Sequence, residues 1–546
     1  MVNRYRGGLK VKDSNNGSEK FNRRSFLKKT GKGVGIALGV SIINTLPVNF
    51  ASAESSKLVY PFTLGIASGD PLHDSVVLWT RLAPDPLNGG GMPPHPFPVQ
   101  WEVSLDPDFK KVVQRGTEVS KPQLGHSVHV EVNGLEASSW YYYRFKAGSE
   151  ISPVGRTKTA PAVHSQVDKL AFAFVSCQNW PTGYYTAYQH MAKDDLDLVI
   201  HLGDYIYEGS HNSNGVRPIE KDFPEIYTID DYRNRYALYK LDTDLQAAHA
   251  NFPWLVTPDD HEVDNNWAGD VPQDPAKQSE EDFLKRRAIA FQAYYEHMPL
   301  RRTSFPNGSS MQIYRRLSYG NLVDFSVLDT RQYRDDQANG DGWDSPTPES
   351  MDPSRTLLGE KQERWLLDGL AASQAKWKVL AQQVFFARRD GAIGPEKSYS
   401  MDAWDGYPGA RQRVLDFLEE KNISNTVVLT GDVHSSWANE VKANFDEENS
   451  KNVAVEFVGT SITSGGDGSD VNSNTAQILQ ENPHIKFFSN QRGYVRCKLT
   501  QQKWQTDFMV VPYVSRPGAP IETRTSFIVE DGKSSLQQVK TEVALV

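Results

Sequence analysis

The pattern of hydrophobic and polar positions changes once along the chain. Between residues 62 and 160, apolar or alternating stretches of strand length recur about every ten residues, among them 76–79, 99–103, 127–132 and 140–145. Such short strands at even spacing are typical of an all-β sandwich of the immunoglobulin or fibronectin kind. We therefore assign residues 54–160 to an N-terminal β-sandwich domain.

From about residue 169, buried runs of strand length end in polar, loop-like tails. These runs are 170–175, 196–202, 254–257, 322–328, 377–380 and 426–430. Helical stretches such as 280–295 and 360–373 lie between several of them. Strands that alternate with helices predict an α/β sheet, in which ligands bind at the carboxyl ends of the strands. We assign residues 165–546, with their C-terminal segment, to this second domain.

The charge of the chain is unevenly distributed. Of 59 basic and 68 acidic residues, residues 1–53 hold ten basic and two acidic ones, so the remaining 49 bases and 66 acids carry a net charge of −17. Arg23 and Arg24 precede Phe26 and an apolar segment, and Ala51-Ser52-Ala53 fits a small-residue cleavage site. Residues 1–53 therefore resemble a cleaved twin-arginine signal, although a membrane anchor is the alternative.

This signal predicts that the twin-arginine translocase is a partner and that the protein is secreted or held in the cell wall. Because that route carries folded proteins, it also favours a metal site that is filled before export. The acidic balance argues against a nucleic-acid partner, since such binding rests on basic side chains. Two cysteines cannot form a disulfide scaffold, and we interpret Cys497 as a packed thiol.

Polar side chains that can bind metal ions follow several of the strands in the second domain. They are Cys177, Asp204, Tyr207, Asp260, His261, Asn266, Asp432 and His434. Each has a structural alternative: a buried thiol, a turn or cap carboxylate, a core aromatic ring, or a structural histidine. Their joint occurrence at strand ends favours a metal centre.

Three blocks in this set resemble a known family in their order. Gly203-Asp204-x-x-Tyr207, Asp260-His261-Glu262 and Gly431-Asp432-x-His434 are similar to those of the calcineurin-like metallophosphoesterases, and most similar to their PhoD-type branch. Residues 65–71, 77–81 and 329–334 resemble that branch too. The resemblance covers nearly all of the chain after residue 53. It implies an αββα sandwich, an iron and calcium centre, and Asp204 as the bridging carboxylate.

The departures from the general pattern of the superfamily indicate which metal ions the centre binds. Cys177 stands where an aspartate is common, Asp432 replaces a ligand histidine, and the strand end at Gln382-Gln383 carries no histidine. A thiolate, a phenolate and carboxylates are all anionic when bound, and they suit Fe³⁺. Asp204, Asp260 and Asn266 offer only oxygen donors, which favours Ca²⁺. Zn²⁺, Mn²⁺ or Mg²⁺ are the alternatives.

The chemistry expected from such a centre is hydrolysis of phosphoesters. A metal-bound hydroxide or oxide would attack the phosphorus atom, with metals stabilising the attacking and leaving oxygens. His261 and His434 are candidates for protonating the leaving group or holding the phosphate. Arg331 and Arg388 can clamp phosphate oxygens, although structural ion pairs are equally open to them.

The sequence leaves the substrate open. Phosphomonoesters and phosphodiesters both fit, with cell-wall teichoic acids and phospholipid headgroups among the diesters. Two other functions remain: a conventional dizinc or dimanganese esterase or nuclease of the same fold, and a non-enzymatic cell-surface binding protein. The missing histidines argue against the first, and the coincident strand ends argue against the second.

Overall fold

The structure is a computed structural model that describes residues 58–209, 215–217 and 224–539. The signal proposed for residues 1–53 lies outside these ranges. The first strands are β1 (Ile66–Gly69), β2 (Ser75–Arg81), β3 (Phe97–Ser104), β4 (Val112–Ser120), β5 (Ser127–Asn133), β6 (Trp140–Ala147), β7 (Glu150–Ile151) and β8 (Gly155–Lys158).

The strands that follow come from the predicted α/β region. They are β9 (Lys169–Val175), β10 (Leu198–His201), β11 (Pro253–Val256), β12 (Arg315–Tyr319), β13 (Val323–Val327), β14 (Trp343–Asp344), β15 (Trp377–Ala381), β16 (Tyr399–Ser400), β17 (Thr426–Thr430), β18 (Ser436–Lys442), β19 (Asn452–Val458), β20 (Ile485–Ser489), β21 (Arg492–Thr500), β22 (Lys503–Val511), β23 (Glu522–Glu530) and β24 (Gln537–Val539). The helices are α1 (Thr186–Met191), α2 (Ile229–Lys240), α3 (Thr243–Asn251), α4 (Glu280–His297), α5 (Gly359–Ala372), α6 (Pro408–Glu420) and α7 (Thr475–Glu481).

A ten-stranded sheet runs through most of the molecule in the order β24-β23-β22-β21-β9-β10-β11-β1-β2-β5. Its four central strands, β9, β10, β11 and β1, are parallel, and the outer ones are antiparallel. Every residue of β10 and β11 is buried, as expected for parallel strands that are covered on both faces.

A seven-stranded sheet has the order β12-β13-β15-β17-β19-β18-β20. Here β13, β15, β17 and β19 are parallel. The two sheets pack face to face through side chains such as Phe172 and Ile200 of the first sheet and Phe325, Val379 and Leu429 of the second. The parallel strands whose carboxyl ends are expected to carry the ligands therefore belong to two sheets rather than one.

Helices cover the outer face of each sheet. Tyr188 of α1 and Phe291 of α4 pack against the ten-stranded sheet, while Leu366 of α5 and Leu415 of α6 pack against the seven-stranded one. The predicted α/β class is confirmed, in four layers of helix, sheet, sheet and helix. In the described part of the chain, no helix has the length and apolar character that a membrane span requires.

The strands of residues 62–160 are divided between two sheets. β3, β4, β6, β7 and β8 form a five-stranded sheet, whereas β1, β2 and β5 extend the ten-stranded sheet through the pairing of β1 with β11. Leu78 and Val130, from β2 and β5, pack on Val103 and Tyr143 of the smaller sheet. One layer of this two-layered region is thus continuous with the sheet that carries β9, β10 and β11.

Candidate metal centre

The carboxyl ends of the parallel strands bring three overlapping groups of donor side chains together. Within each group the donor atoms lie within 4.8 Å of one another: Cys177, Asp204 and His434; Asp204, Asp260 and His261; and Asp259, Asp260 and Asp432. Asp204 and Asp260 each belong to two groups, so the three form one continuous cluster. It draws on the segments that follow β9, β10, β11 and β17.

Tyr207 joins this cluster through its hydroxyl. The oxygen lies 3.0 Å from Oδ2 of Asp204 and 3.0 Å from Nε2 of His434, and it accepts a hydrogen bond of 2.7 Å from Oγ of Ser464. Cys177 is fully buried, and its thiol contacts Oγ of Ser176 at 3.1 Å. Thiol, phenol, carboxylate and imidazole groups therefore share one small volume.

The backbone at these positions adopts the left-handed conformation, which L-residues rarely use. The φ angle is 58° at Cys177, 55° at Asp204, 51° at Asn266, 62° at Asp432 and 53° at His434. Strained conformations of this kind cluster at functional sites because the surrounding structure must hold them. β9, β10 and β17 thus end in sharp turns that direct the following side chains into the cluster.

Gly203 and Glu262 fix two of these turns. Gly203 has φ 109°, and a Cβ atom there would lie 2.3 Å from Cβ of Asp259, so only glycine fits. The carboxylate of Glu262 accepts the backbone N–H groups of Asp204 (3.1 Å), Tyr205 (2.5 Å) and Asp259 (2.8 Å). Through these bonds Glu262 joins the segments after β10 and β11.

Several buried oxygen atoms of the cluster have no hydrogen-bond partner in the described structure. They are Oδ1 of Asp204, Oδ2 of Asp259 and Oδ1 of Asp260. Carboxylate oxygens without a partner are costly in a protein interior. Bound cations would satisfy them, so the residues present fit a metal centre.

Electrostatics supports the same conclusion. Burial, with the neighbouring carboxylates, raises the pKa of Cys177 and of Tyr207 well above the usual values. Burial and Asp402 raise the pKa of Asp432 to about 7, and burial with Asp260 raises that of Asp204 strongly. Burial raises the pKa of Asp260 too, but Arg331 and His261 outweigh it and hold this pKa below the usual value. The protein atoms therefore compensate the negative charge of the cluster only in part. Cations bound among these groups would favour their ionised forms.

His261 is held on the side of the cluster by an acidic partner. Its Nδ1 lies 2.6 Å from Oε2 of Glu208, whose Oε1 accepts the backbone N–H of Asn265 at 2.8 Å. Burial lowers the pKa of His261, but Glu208 and Asp260 outweigh it and raise the pKa well above the usual value. In contrast, burial and the Arg492 charge lower the pKa of His434 to about 3. The pKa values of the two histidines are thus shifted in opposite directions, and His261 holds a proton more readily than His434.

The structure separates the two arginine candidates. Arg331 is 1% exposed; its Nη2 lies 3.8 Å from Asp260 and 3.9 Å from Asp432 and has no hydrogen-bond partner among the described residues. Arg388 is not brought to the cluster. Its guanidinium donates to Asp446 and to the carbonyl of Phe445. Arg388 therefore forms the structural ion pair that the sequence left open, and it does not reach a phosphate bound at the cluster.

Asn266 lies at the edge of the cluster. Its backbone N–H donates to Oδ2 of Asp260 over 2.8 Å, and its side-chain amide donates to Oδ2 of Asp341 over 2.9 Å. A further carboxylate, Asp402, accepts hydrogen bonds from Arg331 at 2.7 Å and from Arg334 at 2.6 Å.

The sequence did not identify four carboxylates of this site as site residues. Asp259 and Glu262 flank predicted residues in one acidic tetrapeptide, and that density of carboxylates was the available signal. Glu208 follows Tyr207 directly. Asp402 comes from the segment between β16 and α6 and carries no motif, so only the folded chain reveals it.

The fold and the cluster together define an α/β protein with metal-binding groups at the strand ends of two packed sheets. The sequence model described as "PhoD-like phosphatase" matches residues 172–508, and that of the N-terminal domain of the same phosphatases matches residues 49–161. The chain belongs to the PhoD-like phosphatase family, and it is a phosphoester hydrolase.

Individual relatives agree with this assignment. Alkaline phosphatase D of Bacillus subtilis (strain 168) is 55% identical over 537 residues, which cover 97% of this chain and 91% of the relative. A solved structure described as "Structure of PhoD" is 58% identical and superposes with a TM-score of 0.86, covering 88% of this chain and 92% of the other. The resemblance found in the sequence is thereby confirmed.

Proposed function

We propose that the protein is a secreted alkaline phosphatase and phosphodiesterase with an iron and calcium centre. The observation that carries the proposal is the continuous cluster in which Asp204 shares one donor group with Cys177 and His434 and another with Asp260 and His261. Two adjacent donor groups with a common carboxylate suit a pair of metal ions.

The first group is the one we propose for Fe³⁺. Cys177, Tyr207 and Asp204 supply a thiolate, a phenolate and a carboxylate, and His434 adds an imidazole. The low pKa of His434 keeps its ring neutral, which is the form that binds metals. Anionic sulfur and oxygen donors stabilise a trivalent ion better than a divalent one.

The second region is the one we propose for Ca²⁺. Asp204, Asp259, Asp260 and Asp432 offer carboxylate oxygens, and Asn266 lies beside Asp260. Three of these carboxylates have a buried oxygen with no protein partner. Ca²⁺ takes six to eight oxygen ligands in flexible geometry, so an oxygen-rich cluster suits it. Zn²⁺, Mn²⁺ and Mg²⁺ remain the competing assignments.

Bound metals would supply the positive charge that stabilises phosphate oxygens during hydrolysis. The side chains have separate tasks. Nη2 of Arg331, which is free of hydrogen bonds in the described structure, can donate to a phosphate oxygen between Asp260 and Asp432. Glu208 binds Nδ1 of His261 and favours the protonated ring, so that Nε2–H could protonate a leaving oxygen; His261 is therefore the better placed of the two histidines for this role.

The substrate range that we propose includes phosphomonoesters and phosphodiesters, with teichoic acids and phospholipid headgroups as natural diesters. Membership of this enzyme family excludes the non-enzymatic binding protein that the sequence left open. We also keep two proposals from the sequence: export through the twin-arginine translocase, and an N-terminal β-sandwich of immunoglobulin or fibronectin type at residues 54–160, one layer of which continues into the ten-stranded sheet. The family's own N-terminal domain, at residues 49–161, supports the second.

The test is metal analysis of protein exported by its own signal, combined with assays on one monoester and one diester. We expect iron and calcium in fixed proportion to protein, hydrolysis of both esters, and a visible absorption band from thiolate or phenolate bound to Fe³⁺. Colourless, iron-free protein with full activity would reject the iron assignment. Reactivation of chelated protein by Zn²⁺ but not by Ca²⁺ would favour the dizinc alternative.

A further inference from the structure

A pocket opens beside the metal centre. Its cavity is about 450 Å³, and its lining includes Val433 and Ser435, the two neighbours of His434. Arg389, Trp343, Trp437 and Phe488 form its other walls. Because Val433 also follows Asp432, this cavity, which we call the Arg389 pocket, is a direct neighbour of the candidate metal ligands.

The guanidinium of Arg389 is held between aromatic rings. Its Cζ atom lies 4.5 Å from the ring centroid of Phe385, 4.8 Å from that of Trp343 and 5.3 Å from that of Trp437. Stacking of this kind fixes the plane of a guanidinium and leaves its N–H edge available for hydrogen bonds. The rings therefore orient Arg389 without satisfying its donors.

Within the residues that the structure describes, the Arg389 side chain has no ion pair, and its Nε is buried without a hydrogen-bond partner. The nearby acids are already occupied. Asp405 pairs with Arg411 at 2.5 Å, and Asp390 pairs with Lys397 at 2.7 Å. The carboxylate of Glu456 accepts the backbone N–H groups of Phe386 and Ala387.

Arg388, one residue earlier, shows the opposite arrangement, since Asp446 and the Phe445 carbonyl bind its guanidinium. The guanidinium of Arg389 is thus stacked and partly buried, and no anion of the described protein satisfies its donors, although Asp390, which is paired with Lys397, lines the same pocket. A guanidinium edge matches the geometry of phosphate, as it does that of carboxylate, through paired N–H···O bonds, and phosphate is the anion that the substrates of this enzyme carry.

We propose that the Arg389 pocket binds a second phosphate group of the substrate, one that is not hydrolysed, while the scissile phosphate lies at the metal centre. The inference rests on the proposed function, because it concerns substrates of the same centre. It predicts a preference for esters that carry two phosphates on one short alcohol, over the same alcohol with one phosphate. A repeating phosphodiester chain and a small bisphosphate both carry two phosphate groups separated by a short alcohol.

The experiment uses the metal-loaded enzyme and matched pairs of substrates: the monophosphate and the bisphosphate of linear diols with two to six carbons. We expect kcat/KM to favour the bisphosphate at least tenfold at one chain length and less at the others, about the effect of one charge-assisted pair. In Arg389→Gln the ratio should fall to within about twofold of unity. Arg389→Lys, which keeps the charge but not the fork, should retain part of the preference.

Arg388→Gln is the matched control and should keep the wild-type ratio. Iron content and the circular dichroism of each variant report whether it has folded. A wild-type enzyme with no preference at any chain length, or an Arg389→Gln variant with an unchanged ratio, would overturn the second-phosphate site alone. If the wild type hydrolyses neither substrate nor any other phosphoester, the proposed function fails, and this inference fails with it.

Discussion

Nε of Arg331 donates to Oδ1 of Asp259 across 2.6 Å, and both residues are only 1% exposed. The same guanidinium donates through Nη1 to Asp402 at 2.7 Å. One buried cation thus joins the segments that follow β11, β13 and β16. Its Nη2, which makes no hydrogen bond in the described structure, remains directed between Asp260 and Asp432.

Replacement of Arg331 by Lys should affect both stability and catalysis. A lysine cannot bridge two carboxylates and donate to phosphate at the same time, so we expect kcat/KM to fall at least about 100-fold. Arg331→Gln removes the charge and leaves buried carboxylates uncompensated, which should lower the free energy of unfolding by about 3–5 kcal/mol. Denaturant unfolding and steady-state kinetics measure these effects. Arg388→Lys, as control, should leave kcat/KM unchanged; a fully active Arg331→Lys would disprove the role.

Cys177→Ser should reduce iron content and weaken the visible absorption band, because a hydroxyl is a poorer donor to Fe³⁺ than a thiolate. Cys497→Ser is the matched control: this thiol is also fully buried, in β21, and lies 3.8 Å from Oγ1 of Thr506. Metal analysis and absorption spectra compare the two variants. Equal iron and colour in both would remove Cys177 from the metal ligands.

Asp260→Asn should shift calcium activation to higher concentrations, by tenfold or more, because the site loses one negative charge. Activity is titrated with Ca²⁺ after treatment with a chelator. Asp368→Asn, on the exposed face of α5, serves as control and should match the wild type. A calcium dependence that does not change in Asp260→Asn would place calcium elsewhere.

Glu262→Gln tests how the site is held together. An amide offers one acceptor oxygen in place of two, so one of the N–H groups of Asp204, Tyr205 and Asp259 loses its partner, at about 1–3 kcal/mol. We expect lower stability together with weaker calcium activation. Glu440→Gln, whose carboxylate accepts the N–H of Leu536, should lose stability without a change in metal dependence. If both variants behave alike, Glu262 is structural only.

Lys240 should make stability depend on pH. Its ammonium is buried over Trp79, 4.2 Å from the ring centroid, and burial lowers its pKa to about 7. Between pH 7 and the unfolded pKa of about 10.4, the unfolded chain binds a proton that the folded chain does not, so stability rises with pH in this window. Below pH 7 the cost of burying the charge is fully present.

Lys240→Met removes that charge. The variant should be more stable than the wild type at pH 6, by about 1–3 kcal/mol after allowance for the lost cation–π contact, and the gain should shrink towards pH 10. Denaturant unfolding across this pH range, with calcium held constant, measures it. Lys361→Met on the surface of α5 should show no such trend. A variant that is equally destabilised at every pH would contradict the assignment.

Much of the α/β region could be predicted from the sequence, because its strands are short apolar runs with polar tails. The tails of β9, β10, β11 and β17 supplied Cys177, Asp204, His261 and Asp432, which the structure brings together. The pairing of β1 with β11 could not be predicted, since alternation indicates which face a residue occupies but not which strand is its neighbour.

The same limit explains the residues that were missed or reassigned. Asp402 reaches the site from a loop with no motif, and only its bonds to Arg331 and Arg334 reveal its position. Arg388 and Arg389 are adjacent and chemically identical in the sequence. Their environments differ because Asp446 binds Arg388, whereas aromatic rings surround Arg389. Asp446, Trp343 and Trp437 are distant along the chain, and only Phe385 is near Arg389 in the sequence.

The ten-stranded sheet has a consequence for how the chain can be made. β9, which leads to Cys177, pairs on one side with β10 and on the other with β21, a strand from the far part of the chain. During synthesis, the edge of β9 therefore remains without its partner until β21 has left the ribosome. Until then an exposed edge strand invites pairing with other chains. Completion of this sheet, at the strand that leads to the turn at Cys177, is thus a late event in the folding of the chain.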